Sequence, residues 1–246
     1  MIQDLPVTVS NLTQFASIQD EGLEQPVKAV LLHFHGLGYV DMAFPMSDFE
    51  RELARCGILT VYPYYGAWSW MNDVAVRLVD RLVQLIYEKY QVDQRAPLLS
   101  SGGSMGGLSA LVYTRYAQHC PAACLANCPV CDLPYHYTER DDLPRTLYNA
   151  FGHYNGTLDQ AMRSASPLHL AEQMPDIPYL ILHTDADQMV NKQMHSDRFV
   201  EKLRKGHQVT YVEMTGTSHC AMTPEAFAQY REFIMQHADV LPEGMM

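Results

Sequence analysis

Positive charge is scarce in this sequence: 17 lysines and arginines stand against 28 aspartates and glutamates in 246 residues, a formal charge of −11 at pH 7. With no Lys/Arg cluster to offset it, such a chain repels nucleic acid phosphates and anionic membrane surfaces. Neither is an expected partner; a small neutral or cationic molecule fits better. No apolar run approaches the roughly 18 residues needed to span a bilayer. Met1 to Ser10 lacks a basic start followed by an apolar stretch, so the expectation is a soluble, cytoplasmic protein. Internal repeats and low-complexity linkers are absent too. What remains is 48% hydrophobic and 18% charged, enough to bury one sizeable core, and a single domain over 1–246 is expected. Composition leaves the oligomeric state open, a homo-oligomer included.

The six cysteines do not form a recognisable metal pattern. Cys120, Cys124, Cys128 and Cys131 lie within a dozen residues, yet no second CxxC pair or nearby HxxxH completes a zinc set. Cys124 and Cys128 read instead as small apolar residues on or beside a buried strand, and free thiols suit a reducing compartment. No metal is expected.

From Val27 onward short apolar runs alternate with longer amphipathic ones, the pattern of strands and helices wound around a mostly parallel sheet. Strands are expected at Ala29–Phe34, Ile58–Pro63, Pro97–Ser101, Ala122–Asn127, Tyr179–His183 and Val209–Met214. The clearest helix spans Asp73–Tyr90, where Ala75, Leu78, Val79, Leu82 and Ile86 form one stripe and Asn72 is placed to cap. Others are expected just after Ser104 to about Gln118, over Gln193–Lys205, and from Pro224 with Thr223 as cap. Leu5–Thr8 or Phe15–Gln19 has the composition of a short antiparallel edge strand. The long stretch between the strands ending at Asn127 and beginning at Tyr179 holds only short helical patterns, Leu143–Phe151 and Leu158–Arg163. It exceeds a plain crossover and reads as a crossover plus a small cap over 128–173.

Gly102-Gly103-Ser104-Met105-Gly106-Gly107 follows an expected strand and precedes an expected helix, the context of a G-x-S-x-G nucleophile elbow. The serine must sit on a sharp turn, and flanking glycines let neighbouring backbones pass without a Cβ clash. A phosphate loop would end in GK[ST] or read GxGxxG, and neither is present. A nucleophilic serine needs a base and a carboxylate to orient it, in the chain order Ser, Asp or Glu, His. Asp187 lies past the strand Tyr179–His183, and His219 past the strand Val209–Met214. That position sets His219 above His33, His35, His153, His169, His183, His195 and His207. Asp185 is the rival of Asp187; the more distal residue is preferred because the loop has turned back toward the histidine there, leaving Asp185 to stabilise the loop.

Negative charge on an attacked carbonyl oxygen calls for two backbone N–H groups. Met105 is expected to supply one and Leu37, in His35-Gly36-Leu37-Gly38, the other, with Gly36 as alternative and as a substrate contact. The aromatic run Tyr62, Tyr64, Tyr65, Trp68, Trp70 should border the same sheet edge; Tyr65 and Trp68 are candidate substrate contacts, unless the rings pack the cap onto the body. Glu139, Asp141 and Asp142 form either a solvated acidic face or an attraction for a cationic group.

With these residues in place the chain resembles the α/β-hydrolase superfamily, and within it the prolyl oligopeptidase and dienelactone hydrolase side. The likeness covers about residues 28–238 and rests on the HGLG loop, Val92-Asp93 through Gly107, Ser166-Pro167, His183 to Asp187 followed by Val190, and His219. It implies hydrolysis through an acyl-enzyme, with Ser104, Asp187 and His219 on the triad positions and no cofactor. Thr184 departs from the usual glycine of the HGxxD segment, and Asn191 from a common proline. As written the chain carries no propeller domain, and such short members are often esterases. The resulting expectation is a serine hydrolase of a small carboxylic ester, with an aminopeptidase or amidase on the same triad as alternative and a non-catalytic binding protein as a more distant one.

Overall fold

A computed structural model describes residues 7–40 and 44–239. Seven strands form one sheet in the order β1-β3-β2-β4-β5-β6-β7. They are β1 (Ala16–Gln19), β2 (Ala29–Phe34), β3 (Ile58–Pro63), β4 (Leu98–Gly103), β5 (Ala123–Asn127), β6 (Tyr179–Thr184) and β7 (Val209–Met214). Only β1 runs antiparallel, against β3; every other pairing is parallel. Each expected strand is present, β2, β3 and β7 with the expected bounds and β4, β5 and β6 with ends shifted by a residue or two. The apolar runs made them legible because β5 and β6 are buried along their whole length, as strands covered on both faces must be. At the N-terminus the edge strand is the Phe15–Gln19 candidate; Val7 and Thr8 are not in a strand, and the rest of Leu5–Thr8 lies outside the described residues.

Nine α-helices are described: α1 (Asp48–Arg55), α2 (Asp73–Lys89), α3 (Met105–Tyr116), α4 (Leu133–His136), α5 (Leu143–Phe151), α6 (Leu158–Ser164), α7 (Pro167–Leu170), α8 (Arg198–Leu203) and α9 (Pro224–His237). The caps act as their side chains dictate: Asn72 accepts the Ala75 N–H at 3.0 Å and Thr223 the Ala226 N–H at 3.2 Å. The helix expected over Gln193–Lys205 is shorter, because Gln193–Asp197 forms a π turn ahead of α8. Helix α1 escaped the sequence reading, although Ser47 and Glu50 form the reciprocal capping box that marks such a start. Apolar side chains of α2, α3 and α8 pack on one face of the sheet and those of α1 and α9 on the other. Among the described residues no helix is long and apolar enough to cross a membrane.

The chain leaves β2 toward β3 on one side and β4 toward β5 on the other. The carboxyl ends of the neighbours β2 and β4 therefore flank the point where the winding reverses, which is where open α/β sheets leave a crevice. Between β5 and β6 the chain inserts α4 to α7. The insertion is tied to the loop after β3: Trp70 Nε1 donates to Thr146 Oγ1 at 3.1 Å, and Asn72 Nδ2 to the Ala150 carbonyl at 2.9 Å.

Candidate active site

Ser104 sits between β4 and α3 with φ 61° and ψ −125°, a positive φ outside the regions that L-residues favour. Strain of this kind costs of order 1–3 kcal/mol and persists only where the surroundings hold it. They do so here through glycine. A Cβ on Gly106 would run into the carbonyl oxygen of Phe34, and one on Gly102 into the carbonyl of Gly106. Helix α3 can therefore start directly against the end of β2, and Ser104 N–H is held by the Asn127 carbonyl at 3.0 Å.

Asp187 follows β6 in a loop that has turned back under the sheet edge. Its side chain is fully buried, and Oδ2 lies 2.6 Å from His219 Nδ1 and 3.1 Å from His183 Nε2. Its other oxygen, Oδ1, accepts the N–H groups of Met189 and Val190 at 2.8 and 3.0 Å. Burial alone would raise the carboxyl, but these donors outweigh it and hold the group far below the usual carboxylate range. Asp185 is elsewhere: its Oδ1 accepts the Gly216 N–H at 2.8 Å. His183 was not singled out by the sequence beyond its place at the strand end. In the structure it is fully buried, bonded to Ser196 Oγ at 2.6 Å and to the Val190 carbonyl at 3.2 Å. Nε2 faces acceptors, so it carries the proton and donates toward Asp187.

Burial lowers the His219 imidazole, but its hydrogen bonds to Asp187 and Cys128 and the charges behind them lift it to about 9. Nδ1 points at the carboxylate, so Nε2 faces the cavity. Cys220 Sγ lies 3.5 Å from Nε2, and no hydrogen bond joins Nε2 to Ser104 Oγ among the described residues. Serine–base bonds in empty sites are often long and tighten with substrate.

Ser104, His219, Gly36 and Leu37 line one cavity of about 430 Å³ at the carboxyl ends of β2 and β4. The N–H groups of Leu37 and Met105 have no acceptor among the described residues. Tyr65 and Trp68 do not reach this cavity. Tyr65 is buried beneath it, its hydroxyl donating to the His35 carbonyl at 2.7 Å and its ring stacked on His35 at 4.2 Å. Trp68 is 41% exposed and lines a separate depression. The aromatic walls are instead Tyr39, Phe44, Tyr62 and Trp70. Period-two alternation along β3 turns Tyr62 toward the cavity, a signal the sequence carried.

The insertion contributes His136 and Arg140 to the same cavity. Of its aromatic and histidine side chains, Tyr135, Tyr137, Tyr148 and Tyr154 lie elsewhere, with Tyr148 66% exposed. No acidic residue of the insertion lines the cavity: Glu139 takes His136 and His195, and the partly exposed Asp142 takes Arg140 at 2.7 and 2.9 Å. The charged group of the insertion that lines the cavity is therefore a guanidinium.

Three comparisons bear on this arrangement. No curated protein matches the chain. Among solved structures, a puromycin-hydrolysing peptidase of Mycobacterium tuberculosis superposes with a TM-score of 0.72 at 21% identity, over 90% of this chain and 36% of that one. An acylaminoacyl peptidase of Pyrococcus horikoshii gives 0.72 at 16%, over 91% and 40%. This chain thus spans about two fifths or less of either protein. An S-formylglutathione hydrolase from Agrobacterium tumefaciens is similar over 88% of this chain and 86% of its own, with a TM-score of 0.69 at 17% identity. These likenesses establish the fold, the α/β-hydrolase sheet. The model of the prolyl oligopeptidase family matches residues 79–239, well over half the chain, from within α2 through α9, and the protein belongs to that family.

Proposed function

We propose that the protein is a serine hydrolase that cleaves a small carboxylic ester through an acyl-enzyme. The observation that carries this reading is the strained Ser104, opening into the same cavity as the His219 imidazole that Asp187 holds at 2.6 Å. His219 Nε2 takes the proton of Ser104 Oγ as that oxygen attacks the carbonyl carbon. Asp187 stays ionised and stabilises the imidazolium so formed. The N–H groups of Leu37 and Met105 receive the developing oxyanion; each such donor is worth roughly 3–4 kcal/mol to the transition state. His219 then returns the proton to the leaving group, and water attacks the acyl-enzyme by the same route. Esterase and peptidase structures share this fold, in line with a common acyl-transfer core.

The segment 128–173 acts in this reading as a cap. Through His136 and Arg140 it presents polar groups to the acyl or leaving group, and because the guanidinium charge is paired with Asp142, the substrate there carries an acceptor for its remaining N–H groups. An aminopeptidase or amidase on the same three residues is the second reading, favoured by the family to which the chain belongs. A panel of esters and aminoacyl amides, assayed on the wild type and on Ser104→Ala, tests both. Ester turnover abolished by the substitution supports the first, and amide turnover of comparable efficiency the second, because amides need His219 to protonate a poorer leaving group. No turnover of either overturns the assignment.

A further inference from the structure

Beside Ser104 stands a group of side chains that the acyl-transfer scheme does not use. Cys128 is fully buried directly after β5, its N–H donating to the Leu182 carbonyl at 2.7 Å. Cys220 follows His219, and its carbonyl accepts Asn127 Nδ2 at 2.8 Å. The two residues are remote in sequence, yet the sulfurs of both and a ring nitrogen of His219 all lie within 4.8 Å of one another. Cys220 Sγ is 3.5 Å from His219 Nε2. A tetrahedral zinc ion with bonds of about 2.3 Å to sulfur and about 2.0–2.1 Å to nitrogen separates its sulfur and nitrogen ligands by about 3.5 Å and two sulfurs by about 3.8 Å. The cluster needs only small side-chain adjustments to meet that geometry.

The orientation of the imidazole fits as well. In its neutral form His219 donates its Nδ1 proton to Asp187 and keeps the Nε2 lone pair turned outward, the arrangement by which a carboxylate orients a histidine bound to zinc. Two sulfurs and an imidazole favour zinc or another thiophilic ion over magnesium or calcium. Two of the three ligands, His219 and Cys220, line the cavity beside Ser104.

We propose that Cys128, Cys220 and His219 Nε2 form a binding site for a thiophilic divalent ion, zinc above all, and that its occupation switches the hydrolase off. Any proton still held by the two thiols or by Nε2 is released to solvent on binding, and nothing is oxidised. The metal takes the lone pair with which His219 would accept the proton of Ser104, so hydrolysis and metal binding exclude each other. The inhibitory half of this proposal rests on the serine hydrolase reading; the binding half does not.

Cobalt(II) provides a probe independent of turnover. Titrated into the full-length protein under reducing conditions, it should give one equivalent of thiolate-to-cobalt charge-transfer absorption in the near ultraviolet, with the intense visible bands of a tetrahedral ion, and zinc should displace it. The bands should persist in Ser104→Ala and vanish in Cys128→Ser and in Cys220→Ser. On an ester substrate, zinc should inhibit the wild type reversibly, with activity restored by a chelator. Measured against its own zinc-free rate, Cys220→Ser should require far more zinc for inhibition than the wild type, beyond the roughly 10- to 100-fold that loss of an outer-shell partner costs. Absence of thiolate–cobalt absorption, or equal binding by both cysteine variants, overturns the site. Cobalt bands in a protein that hydrolyses no ester would keep the site and sink the hydrolase reading instead; inhibition unaltered in Cys220→Ser would sink the switch.

Discussion

His183 and His219 meet on a single oxygen: Oδ2 of Asp187 lies 3.1 Å from His183 Nε2 and 2.6 Å from His219 Nδ1. With Met189 and Val190 on the other oxygen, the carboxylate has four hydrogen-bond partners and no exposed surface, so its position is over-determined. Asp187→Asn should cost on the order of 10⁴ in turnover, the loss seen when a triad carboxylate can no longer hold the required tautomer. Asp185→Asn should leave turnover close to the wild type, since Asp185 binds only the Gly216 N–H. Steady-state kinetics of the two variants decides, and the reverse ranking would show that the wrong aspartate has been chosen.

A fluorophosphonate probe should label Ser104 and no other serine. Labelling should be blocked in Ser104→Ala and slowed in variants of His219. Peptide mapping by mass spectrometry reads the site directly, and a modified serine elsewhere would displace Ser104 from the scheme.

The groups facing the His219 ring are Asp187 at Nδ1 and Cys128 and Cys220 on its other side. Burial lowers the imidazole, but the hydrogen bonds and charges of Asp187 and Cys128 outweigh it and lift the group to about 9. A general base works only when neutral, so kcat/KM should be lost as pH falls through this pKa. The limb should have its midpoint well above the roughly 6.5 of free imidazole. Asp187 keeps its charge across the whole range and shapes no limb of its own. Replacing it by Asn removes the partner that favours the imidazolium, and the midpoint should drop. A wild-type midpoint at or below that of free imidazole would contradict the electrostatics.

Gly106→Ala places a Cβ against the Phe34 carbonyl, a backbone atom that cannot swing aside. Overpacking of this kind costs typically 1–3 kcal/mol. The variant should melt at a lower temperature than the wild type and lose activity with it, because α3 must retreat from β2 and carry Ser104 along. Thermal denaturation checks the first effect and probe labelling the second. An unchanged melting temperature would mean that the elbow is more pliant than its contacts imply.

The cavity of about 430 Å³ ends in polar walls at His136 and Arg140 rather than in a continuous aliphatic channel. Each buried methylene is worth about 0.8 kcal/mol, so a long channel would make efficiency climb steadily with acyl length. We expect kcat/KM to level off or fall within the short to medium acyl esters, as measured on a homologous series. An efficiency still rising at the longest chain would point to a lipid substrate. Arg140→Gln should raise KM for an ester bearing a carboxylate and leave a neutral ester of the same size nearly unaffected.

Local chemistry along the chain was enough to determine the strands β2 to β7, the long helix α2 and the elbow at Ser104. Apolar runs, caps and glycine spacing act over a few residues, and the order serine, aspartate, histidine along those strands already pointed to one sheet edge. What only the tertiary structure decided are the relations between residues far apart. The loop after β6 turns so that Asp187, and not Asp185, reaches His219. The β3 loop buries Tyr65 and sends Trp68 outward while Trp70 faces the cavity. The insertion brings His136 and Arg140 into the cavity of the serine, and Cys128 meets Cys220, a pairing that its C-x-x-C spacing with Cys131 does not announce. The physical reason is common to all four. A side chain's direction follows from its own backbone, but its neighbours are set by strand order and loop path, and these are fixed by how the whole chain buries its apolar surface.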